Sequence, residues 1–396
     1  MPPQSTPKVF VSVHGRFHAF ELAMELYHHH LLAGLATTYP AFITHRFLPN
    51  DIPLQTMPAL EITRRLHTRL PESLSKLFEL DTWLAKRFSH FVAHRLPKDL
   101  DVLIAWSGAA KEIIPIAHNQ DSRVILERGS THIAHQAEIL NEAFDEFGIT
   151  APSVPQEMIE REMAEYEMAD TIAVPTHYAA STFHNRGINP EKTIVNPYGV
   201  SLDRFFSTTH QEDRAPEKPI RILFAGRVDI RKGIPWLLRA FAPLAGEAEL
   251  HLVGPVPKTI EDILKREPLT NVIIHGSVPS TKMPAIYQAA DIFCLPSLEE
   301  GFALVLLQAM ASGLPIVASN VSGAEDLVTI GKEGLIVPPR NSEALTEALS
   351  QLVRDHEKRR EMGLAARKRV EQGYSWSDYG LRAVKGIEKV LKRSTS

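Results

Sequence analysis

The segment 291–319, DIFCLPSLEEGFALVLLQAMASGLPIVAS, constrains the fold of this chain more than any other stretch. Its short apolar run at 292–295 is typical of a parallel strand that is buried on both faces. The run at 304–310 has the composition of a buried helix and is closed by Gly-Leu-Pro at 313–315, after which a second apolar strand begins. The segment therefore predicts one strand–loop–helix–strand step of a parallel α/β sheet.

An acidic pair, Glu299-Glu300, falls at the start of that predicted helix. The helix dipole stabilises a carboxylate there by about 0.3 to 1 kcal/mol, so ordinary helix capping is one interpretation. The backbone N–H groups of Gly301, Phe302 and Ala303 lack intrahelical acceptors at such a position and can bind an anion, for example a phosphate. The residues alone are consistent with both interpretations.

The alternation of apolar strand runs and helical segments recurs along most of the chain. Further strands are predicted at 8–13, 101–106, 123–126, 171–174, 220–226, 250–254 and 272–276. The polar, proline-containing stretch 207–219 interrupts the pattern and predicts a linker between a Rossmann-like domain at 1–206 and a second one at 220–374. A final helix is predicted at 375–396. No Gly-x-Gly-x-x-Gly follows the first strand, which argues against dinucleotide oxidoreduction.

The composition is that of an ordinary globular protein and argues against several classes of function. The 396 residues are 44% hydrophobic and 23% charged, and the net charge of -4 gives no reason to expect nucleic-acid binding. Cys294 is the only cysteine, so disulfides and cysteine metal sites are excluded and a reducing compartment is expected. No apolar run approaches the ~18 residues of a membrane span, and the first residues do not resemble a signal peptide. A cytoplasmic protein is therefore expected.

The stretch 58–98 combines helical periodicity and aromatic residues with eight Lys/Arg against four Asp/Glu. An excess of positive charge beside aromatic side chains is suited to peripheral contact with an anionic membrane surface. The alternative is that the basic side chains lie along the outer faces of packed helices and keep their charged ends in water.

Residues 300–311, EGFALVLLQAMA, resemble the signature EGFGxxxxEAMA of the retaining, nucleotide-sugar-dependent glycosyltransferases of family 4. In that family the first Glu contacts the donor sugar and the second contacts the nucleotide ribose, which implies these roles for Glu300 and Gln308. Two positions differ, because Gln308 replaces the second Glu and Ala303 replaces a Gly. The resemblance extends over nearly the whole chain. It implies two Rossmann-like α/β domains facing across a cleft, the GT-B architecture, with the helix at 375–396 crossing back onto the first domain.

A second motif follows the predicted strand at 220–226. The segment 226–233, GRVDIRKG, resembles the GRxxxxKG of the same family. Arg227 and Lys232 lie five residues apart on a loop that leads into a helix, where two cations can converge on a diphosphate. Arg231 is predicted to be solvated. The donor-binding candidates that the resemblance implies are Gly15, Gly226, Val278, Gly301, Phe302, Ala303, Leu304 and Gln308.

Histidines near the predicted strand ends complete the candidate site. Open α/β sheets bind ligands at the carboxyl ends of their strands, and in related glycosyltransferases a histidine after the strand at 123–126 contacts the donor sugar near the reacting carbon. His132 is the candidate for this position and His135 is its competitor. In the loop after the first strand, Arg16 and His18 are candidates near the acceptor or the donor phosphates.

The resemblance implies retaining transfer of a sugar from a nucleoside diphosphate sugar to the hydroxyl of a carbohydrate or lipid-linked acceptor, in glycan, polysaccharide or glycolipid synthesis. The predicted catalytic residues are Arg227, Lys232, Glu300 and His132. No metal or other cofactor is expected, since the cations take the place of a metal and the sequence has no Asp cluster. Three alternatives remain: a sugar-nucleotide epimerase or hydrolase, a catalytically silent partner subunit, which would explain Gln308, and an NAD-dependent dehydrogenase.

Overall fold

The computed structural model describes residues 6–67, 80–149, 154–206 and 219–392, which form two α/β domains. The described strands of the first domain are β1 (Val9–Val13), β2 (Leu32–Thr37), β3 (Leu54–Thr56), β4 (Val102–Trp106), β5 (Arg123–Glu127), β6 (Thr171–Val174) and β7 (Thr193–Val195). They form a parallel sheet in the order β3-β2-β1-β4-β5-β6-β7. Its described helices are α1 (Ala19–His28), α2 (Ala41–Thr44), α3 (Pro58–His67), α4 (Leu80–Ala93), α5 (Ile114–His118), α6 (Ile133–Glu146), α7 (Gln156–Met168) and α8 (His177–His184).

The second domain repeats this architecture. Its described strands are β8 (Ile220–Ala225), β9 (Ala248–Val253), β10 (Val272–Gly276), β11 (Ile292–Leu295), β12 (Ile316–Ser319) and β13 (Gly334–Val337), in the parallel order β10-β9-β8-β11-β12-β13. The described helices are α9 (Ile234–Phe241), α10 (Lys258–Leu264), α11 (Met283–Gln288), α12 (Leu304–Ala311), α13 (Ser342–Arg354), α14 (His356–Glu371) and α15 (Trp376–Lys392). Strands β1, β4 and β11 are buried at every residue, because parallel sheets of this kind are covered on both faces.

In both sheets the strand order reverses beside the first strand of the domain. β1 lies between β2 and β4, and β8 lies between β9 and β11. Open α/β sheets bind ligands where the strand order reverses, at the carboxyl ends of these strands. The two crevices face each other, since the loop after β11 meets the loop after β5: a Cβ at Gly301 would lie 2.3 Å from the carbonyl oxygen of Gly129. The predicted fold class, two Rossmann-like domains across a cleft, is confirmed.

The first helix is shorter than its apolar pattern predicts. The apolar residues Leu22, Leu26 and Leu31 after the first strand predict a helix that extends to Leu31. Helix α1 ends at His28 instead, and the Leu31 N–H donates to the Leu26 carbonyl as the chain turns into β2. His30 makes this turn with a left-handed backbone, φ 58°. Leu31 is nevertheless buried, so the apolar periodicity marked a core position rather than a helical one.

Helix α15 leaves the second domain and packs on α1 of the first. A Cβ at Gly380 would approach the Cβ of Glu25 to 2.5 Å, so the two helices are in close contact. Arg382 extends this contact, because its Nε donates to Asn196 Oδ1 at 3.1 Å and its Nη2 donates to the Pro197 carbonyl at 2.7 Å. The last helix of the chain therefore belongs to the surface of the first domain.

Some predicted segments fall outside the described residues. Residues 207–218 of the predicted linker do so, as do 68–79 within the basic stretch and the last four residues of the terminal helix. The domain boundaries therefore stay predictions. Within the part of the chain that is described, no helix is both long and apolar enough to cross a membrane.

Candidate active site

The loop after β8 carries both of the predicted phosphate-binding cations. Asp229 organises this loop: its Oδ1 accepts the backbone N–H of Lys232 at 3.0 Å, and its Oδ2 lies 3.2 Å from the Nε of Arg227. Burial raises the pKa of Asp229, although the neighbouring cations act in the opposite direction. Asp229 thus contacts the backbone of Lys232 and the guanidinium of Arg227, and the Arg227 side chain is 59% exposed.

Gly233 ties this loop to the segment that follows β11. Its backbone is left-handed, φ 73°, and a Cβ there would lie 2.0 Å from the carbonyl oxygen of Pro296. Only glycine fits such an approach without moving the backbone. The Leu298 N–H also donates to the Arg231 carbonyl at 2.8 Å. The cationic loop, residues 226–233, and the acidic loop, residues 296–303, are therefore held side by side.

Lys232 and Glu300 form an ion pair between these two loops. Their side chains are 18% and 9% exposed, and the Glu300 backbone N–H donates to the Val321 carbonyl at 3.1 Å. The helix-capping interpretation of the acidic pair is wrong for α12, because that helix begins at Leu304 with Ala303 as its N-cap residue. The carboxylate of Glu300 instead orients the ammonium that is predicted to meet the donor diphosphate.

Gln308 lies about one turn into α12, whereas Glu300 lies on the loop before that helix, so the two side chains do not share one helix face. Its Oε1 accepts a hydrogen bond from the hydroxyl of Tyr287 at 3.0 Å, and Tyr287 is fully buried. This bond leaves the Gln308 amide N–H₂ as the group that can turn toward a ligand. Val278 lies on the nearby loop after β10 and packs partly against the core.

A cavity of about 710 Å³ lies on the first-domain side of the cleft. Among the predicted residues, His18 and Leu304 line it, whereas Arg227, Lys232, Glu300 and His132 are not among its described lining residues. Apolar side chains of α3, α4 and α7 form one wall, and polar groups after β1, β4 and β5 form the other. Its lining includes His14, Trp106, Ser107, Gln136, Arg231, Leu60, Leu84 and Met158. The loop after β8 therefore contributes Arg231 to the cavity wall, while its predicted phosphate-binding residues, Arg227 and Lys232, are not among the described lining residues.

Of the predicted residues in the loop after β1, His18 lines the cavity and Gly15 contacts the neighbouring strand β2. The His18 ring lies 4.1 Å from the Tyr198 ring centroid, and its Nε2 lies 3.5 Å from Glu127 Oε2. Gly15 accepts the Thr37 hydroxyl hydrogen at its carbonyl oxygen, at 2.7 Å. His18 is thus placed at the cavity wall.

Arg16, in the same loop, turns away from the cavity. Its guanidinium donates to Glu21 at 3.0 Å and stacks 3.7 Å from the ring centroid of Phe47. Both contacts are made within the first domain and fix the orientation of the Arg16 side chain. A contact of Arg16 with a substrate stays a prediction.

His132 is the N-cap residue of α6. Its Nδ1 accepts the Ala134 N–H at 3.2 Å, and its ring packs against Tyr166 and Phe183 at 5.0 and 5.1 Å. Burial lowers its pKa to about 4, so the imidazole is neutral at pH 7. The competitor, His135, lies 3.2 Å from the Tyr178 hydroxyl. Both rings have partners inside the first domain, and a role at the donor sugar stays a prediction for each.

Arg231 is not solvated as its sequence context predicts. Its Nη2 lies 2.8 Å from Glu299 Oε2, and its side chain is 31% exposed. Glu299 is fully buried, and its other oxygen accepts from the hydroxyls of Ser130 and Thr131 at 2.7 and 2.6 Å. The physical reason for the correction is that a desolvated carboxylate requires charged and hydrogen-bonding partners. Glu299 therefore connects the second domain to Ser130 and Thr131 of the first.

Two features of the site were missed by sequence reasoning. His14 lines the cavity directly after β1, and burial lowers its pKa to about 4, with Arg64 and Arg161 acting in the same direction. Its position at a strand end was the available signal. The Glu299 pair had a signal too, since Arg231-Lys232 and Glu299-Glu300 are complementary dipeptides. In the described residues, no group of three or more His, Cys, Asp or Glu side chains is arranged to hold a metal ion.

Solved structures with this overall fold identify its class. The sucrose-phosphate synthase of Thermosynechococcus elongatus superposes with a TM-score of 0.69 at 22% identity and covers 98% of this chain and 100% of its own. The Anabaena protein HepE in complex with UDP gives 0.68 at 15% identity, covering 97% of this chain and 100% of its own. The fold is therefore GT-B, the two-domain fold of these proteins.

A family match covers much of the second domain. Residues 205–369 match the family described as Glycosyl transferases group 1. A GDP-mannose-dependent alpha-(1-6)-phosphatidylinositol monomannoside mannosyltransferase of Mycolicibacterium smegmatis is 27% identical over 73% of this chain and 77% of its own length. The MMP alpha-(1->4)-mannosyltransferase of Mycolicibacterium hassiacum is 29% identical over 57% of this chain and 56% of its own. The chain spans about half the length of many of the curated relatives it matches.

Proposed function

We propose that this chain is a retaining glycosyltransferase of the family 4 type, which transfers a sugar from a nucleoside diphosphate sugar to an acceptor hydroxyl. The observation that carries the proposal is the Lys232–Glu300 ion pair beside the Arg227 loop, at the start of α12 and across the cleft from the His18 cavity. Relatives named as mannosyltransferases, and a structural neighbour solved with UDP, support a nucleotide donor and a carbohydrate-containing acceptor.

The chemistry follows from the charges on the two loops. When the bond between the anomeric carbon and the phosphate oxygen breaks, negative charge develops on the departing diphosphate. Arg227 and Lys232 stabilise that charge, and preorganised groups of this kind are the largest single contribution in many enzymes. The acceptor oxygen forms the new bond on the same face of the sugar, and its proton passes to the diphosphate. Glu300 releases Lys232 to the phosphate and accepts donor-sugar hydroxyls. No step requires a metal ion.

The decisive experiment is incubation of the full chain with a panel of nucleoside diphosphate sugars and carbohydrate or glycolipid acceptors. Released nucleotide and the anomeric configuration of the product are measured together. A new glycosidic product with the donor configuration supports the proposal. Donor consumption without an acceptor product favours the epimerase or hydrolase alternative, and the absence of donor turnover favours a silent subunit.

We expect Gln308→Glu to bind the donor as well as the native chain, or up to about tenfold more tightly, because a charged acceptor strengthens hydrogen bonds to the ribose hydroxyls. Tyr287 can donate to a carboxylate at this position as it does to the amide oxygen. Gln308→Ala should weaken binding. Titration with the nucleoside diphosphate measures both, and Tyr287→Phe is the matched control for the orienting bond. Loss of binding in Gln308→Glu with no effect of Gln308→Ala would contradict the ribose contact.

We further propose that α3 and α4 touch an anionic membrane from which a lipid-linked acceptor reaches the cavity. Ile62 and Leu66 on α3 are each 57% exposed, and Trp83 on α4 is 41% exposed. The Arg87 guanidinium lies 5.5 Å from the Trp83 ring centroid. Opposite faces of the same helices, through Leu60 and Leu84, line the cavity. The exposed apolar face and the wall of the cavity are therefore two sides of the same pair of helices.

Three other cations of this surface have acidic partners, which sharpens the test. Arg64 and Arg65 share the buried Glu61, and Lys86 pairs with Glu157. We therefore expect Leu66→Ser combined with Arg87→Glu to abolish most binding to phosphatidylserine-containing vesicles at low salt, and native binding to weaken as salt is raised. The combination of Leu269→Ser and Lys265→Glu in the second domain is the control. Equal vesicle binding by both double variants would refute this contact. A cytoplasmic location stays a prediction.

A further inference from the structure

Two neighbouring dipeptides face each other at the cleft and form parallel ion pairs. Arg231 pairs with Glu299, and the next residues on each loop, Lys232 and Glu300, pair with each other. The backbone bond from Leu298 to the Arg231 carbonyl holds the two loops together. The pair assigned to the donor and the pair at the domain interface are thus one residue apart on both loops.

Glu299 is the member of this arrangement that reaches the first domain. Its Oε1 accepts from the Ser130 hydroxyl at 2.7 Å and from the Thr131 hydroxyl at 2.6 Å, and its Oε2 lies 2.8 Å from Arg231. Burial opposes its ionisation, yet Arg231 and the two hydroxyls hold the pKa of Glu299 below its usual value. A buried carboxylate is stable only while such partners surround it.

We propose that Glu299 is a positioning residue that holds the two domains closed for transfer to the acceptor, an inference that rests on the proposed function. Separation of the domains would take Ser130 and Thr131 away from the carboxylate and leave it with Arg231 alone. Charge-assisted hydrogen bonds therefore favour the closed arrangement. Closure also holds Arg231 at the wall of the acceptor cavity, beside Lys232. Nucleotide binding depends on the second domain and does not require Glu299.

The test measures the distance between the domains directly. Spin labels at Lys98→Cys and Lys258→Cys report this distance, because both sites are exposed and the natural Cys294 is buried. We expect Glu299→Ala to lengthen it. Acceptor-dependent kcat should fall about 10- to 100-fold in Glu299→Ala, while affinity for the nucleoside diphosphate changes by less than about twofold. Thr131→Val, which removes a hydroxyl from the opposite domain and keeps the side-chain shape, should act in the same direction.

A second contact across the interface provides the control. Asp326 Oδ2 accepts the His177 N–H at 2.6 Å, but the His177 side chain is 81% exposed, so Asp326→Asn should leave the distance and the turnover unchanged. An equal effect of Asp326→Asn would overturn the assignment. So would unchanged distances in Glu299→Ala and Thr131→Val. The label distances do not depend on activity, so a native chain that transfers no sugar refutes the proposed function, and the distances still decide the role of Glu299.

Discussion

Lys232→Ala should lower turnover by roughly 100- to 1000-fold, the scale associated with loss of one preorganised charge-stabilising group. The ammonium is the only group that the described contacts give to the Glu300 carboxylate as an ion-pair partner, and both side chains are largely shielded from water. The substitution therefore removes the cation for the diphosphate and releases the carboxylate that is predicted to hold the sugar. Arg227→Ala should cause a loss of the same order. Steady-state kinetics with the preferred donor measure both.

Two controls separate this effect from a change in folding. Lys265→Ala removes an exposed lysine that pairs only with its neighbour Asp262 among the described ion pairs and is not a predicted site residue. It should leave turnover unchanged. Lys232→Ala should still fold, because the residue lies on a loop, but it should unfold at a lower temperature, since Glu300 loses its ion-pair partner. Affinity for the nucleoside diphosphate should fall in Lys232→Ala but not in Lys265→Ala. Near-normal turnover in a folded Lys232→Ala variant would contradict the diphosphate assignment.

Gly301→Ala should lower acceptor-dependent turnover by roughly 100-fold, since a misplacement of about 1 Å between reacting groups can cost this much. The new methyl group would lie 2.3 Å from the Gly129 carbonyl oxygen and 2.4 Å from the Ser130 Cα, both in the other domain. The backbones must separate to accept it. Thr176 also donates to the Gly301 carbonyl at 2.8 Å, and this bond would be strained by the same movement.

The matched control for this substitution is Gly246→Ala, because a Cβ at Gly246 would meet no heavy atom within 4 Å. It should leave activity unchanged. Nucleoside diphosphate affinity should survive in both variants, since the added methyl group at 301 points at the first domain. Full acceptor-dependent activity in Gly301→Ala would show that the close approach of the two loops is not needed for transfer.

The elements of this chain were predictable because their signals are local. The apolar run at 292–295 became β11 without a shift, and the helix predicted at 304–310 became Leu304–Ala311. Each of these two predictions depends on neighbouring residues alone. A continuous apolar run indicates a buried strand, and turn residues indicate where a strand or helix ends. The exception is Leu31, where apolar periodicity continued after the helix had ended, because a core position can be filled from a turn as well as from a helix.

The site was predictable only in part, for a physical reason. The spacing of Arg227 and Lys232 belongs to one loop, and the structure places both around Asp229. The hydroxyl partners of Glu299, on Thr131 and Ser130, lie 168 and 169 residues earlier in the chain, on a different domain. Charge alone suggested solvation for Arg231, since burial depends on contacts between distant segments. For the same reason the sequence could not show that the His132 ring is buried against Tyr166 and Phe183.

The contact between α15 and α1 has a consequence for the order of events during synthesis. The first domain presents the face around Glu25 to a helix that is translated only after the whole second domain. Its surface therefore stays incomplete while the ribosome makes residues 219–375. Arg382 of this helix then donates hydrogen bonds to Asn196 and Pro197 at the end of the first domain. The chain thus returns to the first domain after it has formed the second. A gene fragment that stops before this helix would produce a first domain with an uncovered helix face and a tendency to aggregate.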